Sequence, residues 1–463
     1  MACNLMHSRL PLAWASSFGA CVNLLLFSAA PVHGEDEPRR VLLRISQSVM
    51  DTVERLPKYV CTQTVDRFQY EPESGKTQGR SCDDITAELN TSPGKRRRSY
   101  ADRLRLDVAV SHDRSGADGE MYSWAGEGRF KSRDLFEIVP EGAMSTGTFS
   151  SMLASIFGAD TTRFSYSGDI TIDGRLLSEF GFRIPQESSQ YSYVFGKGRS
   201  QQLKLGHHGV FLADPETSDL VRVVVHTSQL PAETGTCEIA RALDYGRVRL
   251  GGADFLLPTE ARLYIIHADG TTADNRIHYS ACREFSSESR LRTGPLPEAD
   301  QPGLVSEVAP ALPAGLPFRL VFTHPIDTAT AAAGDPIKAR LKTPIRDSSA
   351  KVLVPEGASV GCRILGIKRF YGPPKSGAAR LSLVVTIAVE TLETEGISTP
   401  FKAAYVAGPG RFVKPTGPLS ARVDIGPLDR SQSPDAAVFE FWDADPDRGV
   451  ESGLESNWLT LAR

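Results

Sequence analysis

Apolar residues recur at three- and four-residue steps through Val41–Leu56. Leu42, Ile45, Val49, Val53 and Leu56 form one stripe, which predicts an amphipathic helix. Pro57 stops it, and Tyr59–Phe68 reads as an extended segment carrying Cys61. The polar stretch Glu71–Lys95, rich in Glu, Ser, Gly and Asp, is expected as a loop. Arg103–Val110 then alternates, with Leu104, Leu106, Val108 and Val110 on one face and Arg103, Arg105 and Asp107 on the other: a strand with one wet face. Gly119–Phe130, with Met121, Tyr122 and Trp124, reads as the next strand. The rhythm breaks at Gly147–Phe157, where Phe149, Met152, Leu153, Ile156 and Phe157 fall at helical spacing. That short helix is either a packed core element or a lid over the open side of a curved sheet.

From Thr162 onward strands follow one another: Phe164–Ile172, Leu176–Ile184, Tyr191–Phe195, Gln202–Leu205, Val210–Asp214, Leu220–His226, Cys237–Val248, Phe255–His267 and Asn275–Phe285. Asp173-Gly174 and Asp269-Gly270 are hairpin signals, because both residue types tolerate positive φ. Asp214-Pro215-Glu216-Thr217 reads as a β-turn. Short strands at this spacing predict an antiparallel meander that curls into a barrel or half-barrel. A lone amphipathic helix must bury its stripe, and the concave face of that sheet is the surface available.

Residues 293–314, TGPLPEADQPGLVSEVAPALPA, lack periodicity and are rich in proline, so they read as a linker. A second set of strands follows within 315–407: Phe318–His324, Ile337–Leu341, Lys351–Val354, Ser359–Ile367, Arg380–Leu392 and Thr399–Tyr405. Residues 408–463, rich in Pro, Gly, Asp and Ser, read as a loosely ordered tail, partly docked by aromatics at Phe439–Trp442 and Trp458. The expected fold class is therefore mainly β. A helix packs on a strongly curved antiparallel sheet over 38–292, followed by a separate small β-barrel.

Composition adds an address. Residues 1–34 hold one charge, Arg9, and the mostly apolar run Ala20–Ala30, with Val32 and Gly34 at −3 and −1 before Glu35: a secretory signal peptide layout. A membrane anchor is the alternative, although Ser16, Ser17 and Gly19 break the run. Cys21 follows a poor lipobox and is not read as a lipidation site. Removing Arg9 with that segment takes the formal charge from −4 to −5, which gives no basis for a nucleic-acid partner. No later stretch approaches eighteen consecutive apolar residues, so no membrane span is expected in the mature chain. Secretion or a periplasmic location would allow disulfides among Cys61, Cys82, Cys237 and Cys282, with three pairings open. Proximity along the chain favours Cys61–Cys82 and Cys237–Cys282. Cys362 reads as a buried strand residue without a partner.

Candidate chemistry is sparse. The chain has no GxSxG, HExxH, P-loop or supported SxxK motif, and no CxxC or HxxxH spacing for zinc, so no catalytic residue, metal or cofactor is expected. His207-His208 between glycines is read as a surface turn, with weak metal binding as the sharper alternative. Gly196–Ser200 looks phosphate-friendly, but no helix pattern follows it, so it is read as a hairpin loop. Lys95–Arg98 is a basic run: either a solvated loop or a site for an anion.

Two resemblances bear on function. The leading helix and the meander ending in LPTEARLYIIHADGTTADNRIHYSACREF resemble the envelope fold of periplasmic lipoprotein carriers and related sigma-factor regulatory proteins, and FLADPETSDLVRVVV is similar to its recurrent hairpin. This covers about Val41–Arg290. It implies a sheet wrapped round an apolar cavity, binding an apolar ligand such as a lipid or acyl chain, or an envelope protein partner. The segment containing VLVPEGASVGCRILGI resembles the small β-barrel of conjugative secretion-channel proteins over about Leu312–Tyr405, and implies a stand-alone interaction module. The expected function is that of a non-enzymatic secreted or periplasmic binding protein. The alternative is a secreted hydrolase whose site is assembled from scattered residues.

Overall fold

A computed structural model describes residues 36–72, 79–91, 96–112, 118–128, 130, 135–196, 201–228, 230–285, 312–372, 381–406, 436–442, 450 and 452–462. Residues 1–34, read above as a signal peptide, most of the stretch 293–314 read as a linker, and Lys95 lie outside these residues.

The N-terminal elements are α1 (Asp36–Arg55), β1 (Tyr59–Pro72), α2 (Cys82–Thr91), β2 (Arg96–His112), β3 (Asp118–Trp124), α3 (Leu135–Ile138) and α4 (Ser151–Phe157). They are followed by β4 (Arg163–Ile172), β5 (Arg175–Ile184), β6 (Ser192–Phe195), β7 (Gln201–Lys204), β8 (His207–Ala213), β9 (Leu220–Ser228), β10 (Thr236–Leu250), β11 (Ala253–His267) and β12 (Thr272–Glu284). Antiparallel ladders run β4–β5–β8–β9–β10–β11–β12–β1–β2–β3, so the first strand is inserted beside the last of the meander. β6 and β7 form a separate hairpin. Register shifts within β1, β4 and β10 add twist and bend where they occur. Asp173 and Gly174 take φ of 49° and 79°, the two positive values that a tight β4–β5 turn demands. No ladder joins β3 to β4 among the described residues, so the sheet stays open.

Helix α1 lies on the concave face. Val41, Ile45, Val49 and Val53 pack with Met152, Leu153 and Ile156 of α4 against Phe180, Phe211, Val223 and Leu243, while Leu56 joins Tyr59, Leu104 and Leu106. Leu42 is half-buried at the margin; the i, i+4 series from Val41 occupies the centre of the stripe. With many apolar side chains removed from water, at roughly 25 cal/mol per Å², this helix is held by the sheet rather than by its own propensity.

Two local expectations are corrected here. Part of Glu71–Lys95 is not loop: α2 opens at Cys82, Ser81 Oγ accepts from the Asp84 amide, and Ile85 and Leu89 pack on Ile266. Arg96–Arg98 is not a solvated loop either, because it opens β2 and pairs with β1.

The C-terminal strands are β13 (Pro317–Phe322), β14 (Pro336–Leu341), β15 (Ile345–Arg346), β16 (Val352–Val354), β17 (Ser359–Tyr371), β18 (Leu381–Thr394), β19 (Ile397–Pro400), β20 (Ala403–Val406), β21 (Ala436–Trp442) and β22 (Glu455–Thr460). Ladders run β21–β18–β17–β14–β13–β22–β20 round a core of Phe318, Leu320, Val360, Ile364, Val385, Ile387 and Trp458. The Tyr405 and Phe439 rings meet at 5.9 Å across the remaining gap, but no ladder closes it among the described residues. The separate small β-barrel is thus corrected to an unclosed strand array joined to the first sheet. The expectation of a loose tail is corrected for its described parts, since β21 and β22 pair within this array and Trp458 is buried.

The junction is the outer edge of β2. Its second half pairs with β3, and its first half pairs with β17, from Phe370 opposite Tyr100 to Lys368 opposite Asp102. Between them Ala333 donates to the Arg103 carbonyl at 2.8 Å and accepts from the Arg105 amide at 2.7 Å. An otherwise open strand edge is covered by the chain's own second half.

Candidate functional site

The two disulfides differ from the favoured pairing. Cys61 bonds Cys282, joining β1 to β12, and Cys82 bonds Cys237, tying α2 to the start of β10. The physical reason is the insertion of β1 beside β12, which brings together residues 221 apart in sequence. Cys362 is buried and free, and burial pushes its thiol up to about 12.

The inner wall of the sheet is mainly apolar, and several of its polar side chains converge on one segment. On β1, Tyr59, Cys61, Val65 and Arg67 are buried; on β10, Ile239, Arg241, Leu243 and Tyr245 are. Period-2 alternation places Arg67 and Arg241 among the apolar residues of their strands. Arg67 Nη1 donates to the Glu141 carbonyl at 2.6 Å, and Asn275 Nδ2 on β12 donates to the Ala143 carbonyl at 2.6 Å. Arg241 Nη2 donates to the Thr146 carbonyl at 3.4 Å and to Thr148 Oγ1 at 3.3 Å. Glu120 on β3 accepts from the amides of Gly147 at 2.7 Å and Phe149 at 3.3 Å.

Residues 141–149 therefore form a strap across the concave wall, held by side chains of four strands. It belongs to no ladder, and its end, Phe149, inserts edge-on between Tyr59 at 5.6 Å and Tyr279 at 4.9 Å. Gly142 and Gly147 take φ of 79° and 71°, which lets the strap turn twice. Lys368 Nζ on β17 reaches Glu141 Oε2 at 2.5 Å, so the second half of the chain also touches it. The predicted helix at Gly147–Phe157 is shortened to α4. Met152, Leu153 and Ile156 are buried there, Phe157 is half-buried, and residues 147–150 belong to the strap and its turn into the helix.

Several polar atoms inside are sealed from water. Among the described residues, Gln63 Oε1, Ser123 Oγ, Ser150 Oγ and the Tyr245 hydroxyl are buried without a hydrogen-bond partner. Burial also raises the phenols of Tyr122, Tyr245 and Tyr279, so each stays a neutral O–H.

The histidines do not sit in a turn, which corrects that expectation. Both lie on β8, and their side chains take opposite faces. His207 is buried, its Nδ1 is 3.1 Å from Ser189 Oγ, and burial lowers its pKa to about 4. Ser189 has no exposed surface, so this serine–histidine pair offers a substrate no approach. His208 stacks on His226, whose Nδ1 is 2.8 Å from Glu238. Among the described residues no group of three or more His, Cys, Asp or Glu side chains is placed to hold a metal ion. Residues 197–200 of the phosphate-friendly loop lie outside the described residues.

Sequence reading missed the strap's holders Arg67, Glu120, Arg241 and Asn275. For the two arginines the signal was present: a single charged residue on the inward register of an apolar alternation, as in Ile239-Ala-Arg241-Ala-Leu243.

No protein-family model matches the chain, and no curated protein does. Two solved structures are similar to it at low identity. A domain described as an outer membrane lipoprotein-sorting protein, from Vibrio parahaemolyticus, is 12% identical with a TM-score of 0.25, covering 55% of this chain and 94% of that one. A DUF1329 family protein from Desulfovibrio piger is 10% identical with a TM-score of 0.26, covering 54% and 94%. Likeness at this level defines neither a shared ligand nor a shared mechanism. No helix among the described residues is long and apolar enough to cross a membrane.

Proposed function

We propose that this chain is a non-enzymatic, extracytoplasmic binding protein. The concave face of its curved sheet takes an apolar ligand such as an acyl chain, and the C-terminal strand array serves as a docking module for an envelope protein partner. The observation that carries the reading is the strap. It fills the concave wall through side-chain bonds to its main chain and not through a ladder, and it overlies Val65, Leu104, Leu106 and Ile277 of one apolar cluster. A segment held this way can leave without breaking the sheet, and its departure uncovers apolar wall together with polar atoms able to orient a ligand's head group. The two disulfides fit an oxidising compartment.

The test is organic extraction and mass spectrometry of protein purified from its native host, paired with displacement of a fluorescent fatty acid. An acyl compound should co-purify. Arg241→Ala, which removes two of the strap's bonds, should raise uptake of the probe. Protein that purifies empty and takes up no probe in either form rejects the ligand reading.

A further inference from the structure

The convex face opposite the strap carries a grid of arginines laid on aromatic rings, and the basic run singled out in the sequence is its corner. Period-2 alternation puts Phe68 and Tyr70 of β1 on the face opposite Cys61 and Val65, and Arg276 of β12 opposite Ile277. The Arg98 guanidinium lies over Phe68 at 4.7 Å, Tyr371 at 5.7 Å and Tyr70 at 5.9 Å. Arg276 lies over the same Phe68 ring at 5.3 Å, and Arg262 of β11, its ladder neighbour, lies over Tyr264 at 5.3 Å. Arg262 already forks Asp274 through Nε at 2.6 Å and Nη2 at 3.1 Å, whereas Arg276 gives that carboxylate only Nη2, at 3.3 Å. Arg276 and the exposed Arg98 are therefore the cations of the grid with donors to spare for an anion.

Among the described residues, the charge on this face is not balanced internally. Arg262 and Arg276 share one carboxylate, Asp274, and remain 42% and 62% exposed. Arg98 is exposed, and among the described residues its side-chain hydrogen-bond partners are the phenols of Tyr371 and Tyr70. A local excess of positive charge on a chain of formal charge −4 is a directed feature of the surface. With strands about 4.8 Å apart, Arg98 on β2, Arg276 on β12 and Arg262 on β11 span about 15 Å across three strand steps.

We infer that this face binds an anionic polysaccharide, with its carboxylates held by Arg98 and Arg276 and with Arg262, forked on Asp274, adding positive charge beside them. Two other polyanions fit less well. Around the grid β2, β1, β12 and β11 have ladder partners on both sides, so an acidic peptide cannot add as a strand and would keep its own backbone groups unpaired. A lipid surface calls for apolar side chains to insert. The exposed large hydrophobics of the described chain, Leu43, Tyr166, Leu176, Val352, Ile397 and Val406, all lie outside the grid.

The experiment is calorimetric titration of the full chain with oligogalacturonate at about 0.15 M salt. Neutral dextran, poly-glutamate and phosphatidylglycerol vesicles are run alongside. Oligogalacturonate should bind and dextran should not. Arg98→Ala with Arg276→Ala should weaken binding by about tenfold or more, the scale of one lost charge-assisted fork. If that double variant fails to fold, Arg98→Lys with Arg276→Lys keeps the charge, loses the fork and should still bind measurably less tightly. The inference is overturned by absence of binding, by undiminished affinity in a folded variant, or by equal or tighter binding of poly-glutamate or the vesicles.

Discussion

Arg67 and Asp102 stand directly opposite each other in the β1–β2 register and are bonded Nε to Oδ1 at 2.7 Å, with both side chains nearly sealed from solvent. Burial works against the Arg67 charge, and the Asp102 carboxylate outweighs it, so the guanidinium is held above its ordinary value. The Tyr100 hydroxyl donates to the same carboxylate at 2.7 Å, and Arg67 also grips the strap at Glu141. Removing one member leaves the other charged and buried. Asp102→Ala should therefore cost about 3–5 kcal/mol of unfolding free energy in denaturant titration. Arg67→Met combined with Asp102→Leu should cost clearly less than Asp102→Ala alone. Equal losses in the two variants would mean that packing, not the stranded charge, sets the cost.

The covalent pairing makes a second prediction. Non-reducing peptide mapping should recover Cys61 linked to Cys282 and Cys82 linked to Cys237, with Cys362 alkylated only after unfolding. Cys82→Ser with Cys237→Ser should lower stability by about 2–4 kcal/mol, because a long loop regains freedom in the unfolded chain. Recovery of a Cys61–Cys82 peptide would contradict the placement of β1 beside β12.

His207 gives a pH dependence with a definite sign. Its folded pKa is depressed from 6.5 to about 4 by burial, with Arg241 adding to the effect. Above pH 6.5 the imidazole is neutral in both folded and unfolded chains and adds no pH dependence. Between 6.5 and 4 only the unfolded chain takes up the proton, so stability falls as the solution is acidified, by about 3 kcal/mol in total. His207→Gln should flatten the melting-temperature profile over that interval. A profile as steep as that of the parent protein would assign the acid sensitivity to other groups.

How far the fold could be read in advance follows from which forces are local. The α1 stripe, the alternation of Arg103–Val110 and the Asp173-Gly174 turn are written in short-range periodicity and backbone preference, and each appears in the structure close to where the sequence put it. The disulfide partners were not legible, since they depend on β1 returning to pair with β12, a contact across more than two hundred residues. The strap was obscured for a related reason. A helical pattern at Gly147–Phe157 absorbed Phe149, whose position is set by Glu120, Tyr59 and Tyr279 from distant strands. Strands β21 and β22 sit in a segment rich in Pro, Gly, Asp and Ser, where composition favours disorder, and they are fixed by pairing to β18, β13 and β20.

Gly334 offers the sharpest test of the junction between the two halves. Its φ is +105°, and a Cβ added there would lie 2.2 Å from the Arg105 carbonyl oxygen and 2.9 Å from the Trp124 ring. Neither obstacle is the loose end of a flexible side chain. Gly334→Ala must therefore push the 329–335 loop off the β2 edge or strain it, at a cost of roughly 1–3 kcal/mol. The damage should be local. The Arg105 and Ala333 amides, which pair across this edge, should exchange hydrogen markedly faster. The amides of Val65 on β1 and Ala339 on β14, each within its own half, should keep their protection. Unchanged exchange at Arg105 and Ala333 would show that β17 alone holds the halves together. Loss of protection at all four would show that they fold as one cooperative unit, with the β2 edge as its seam.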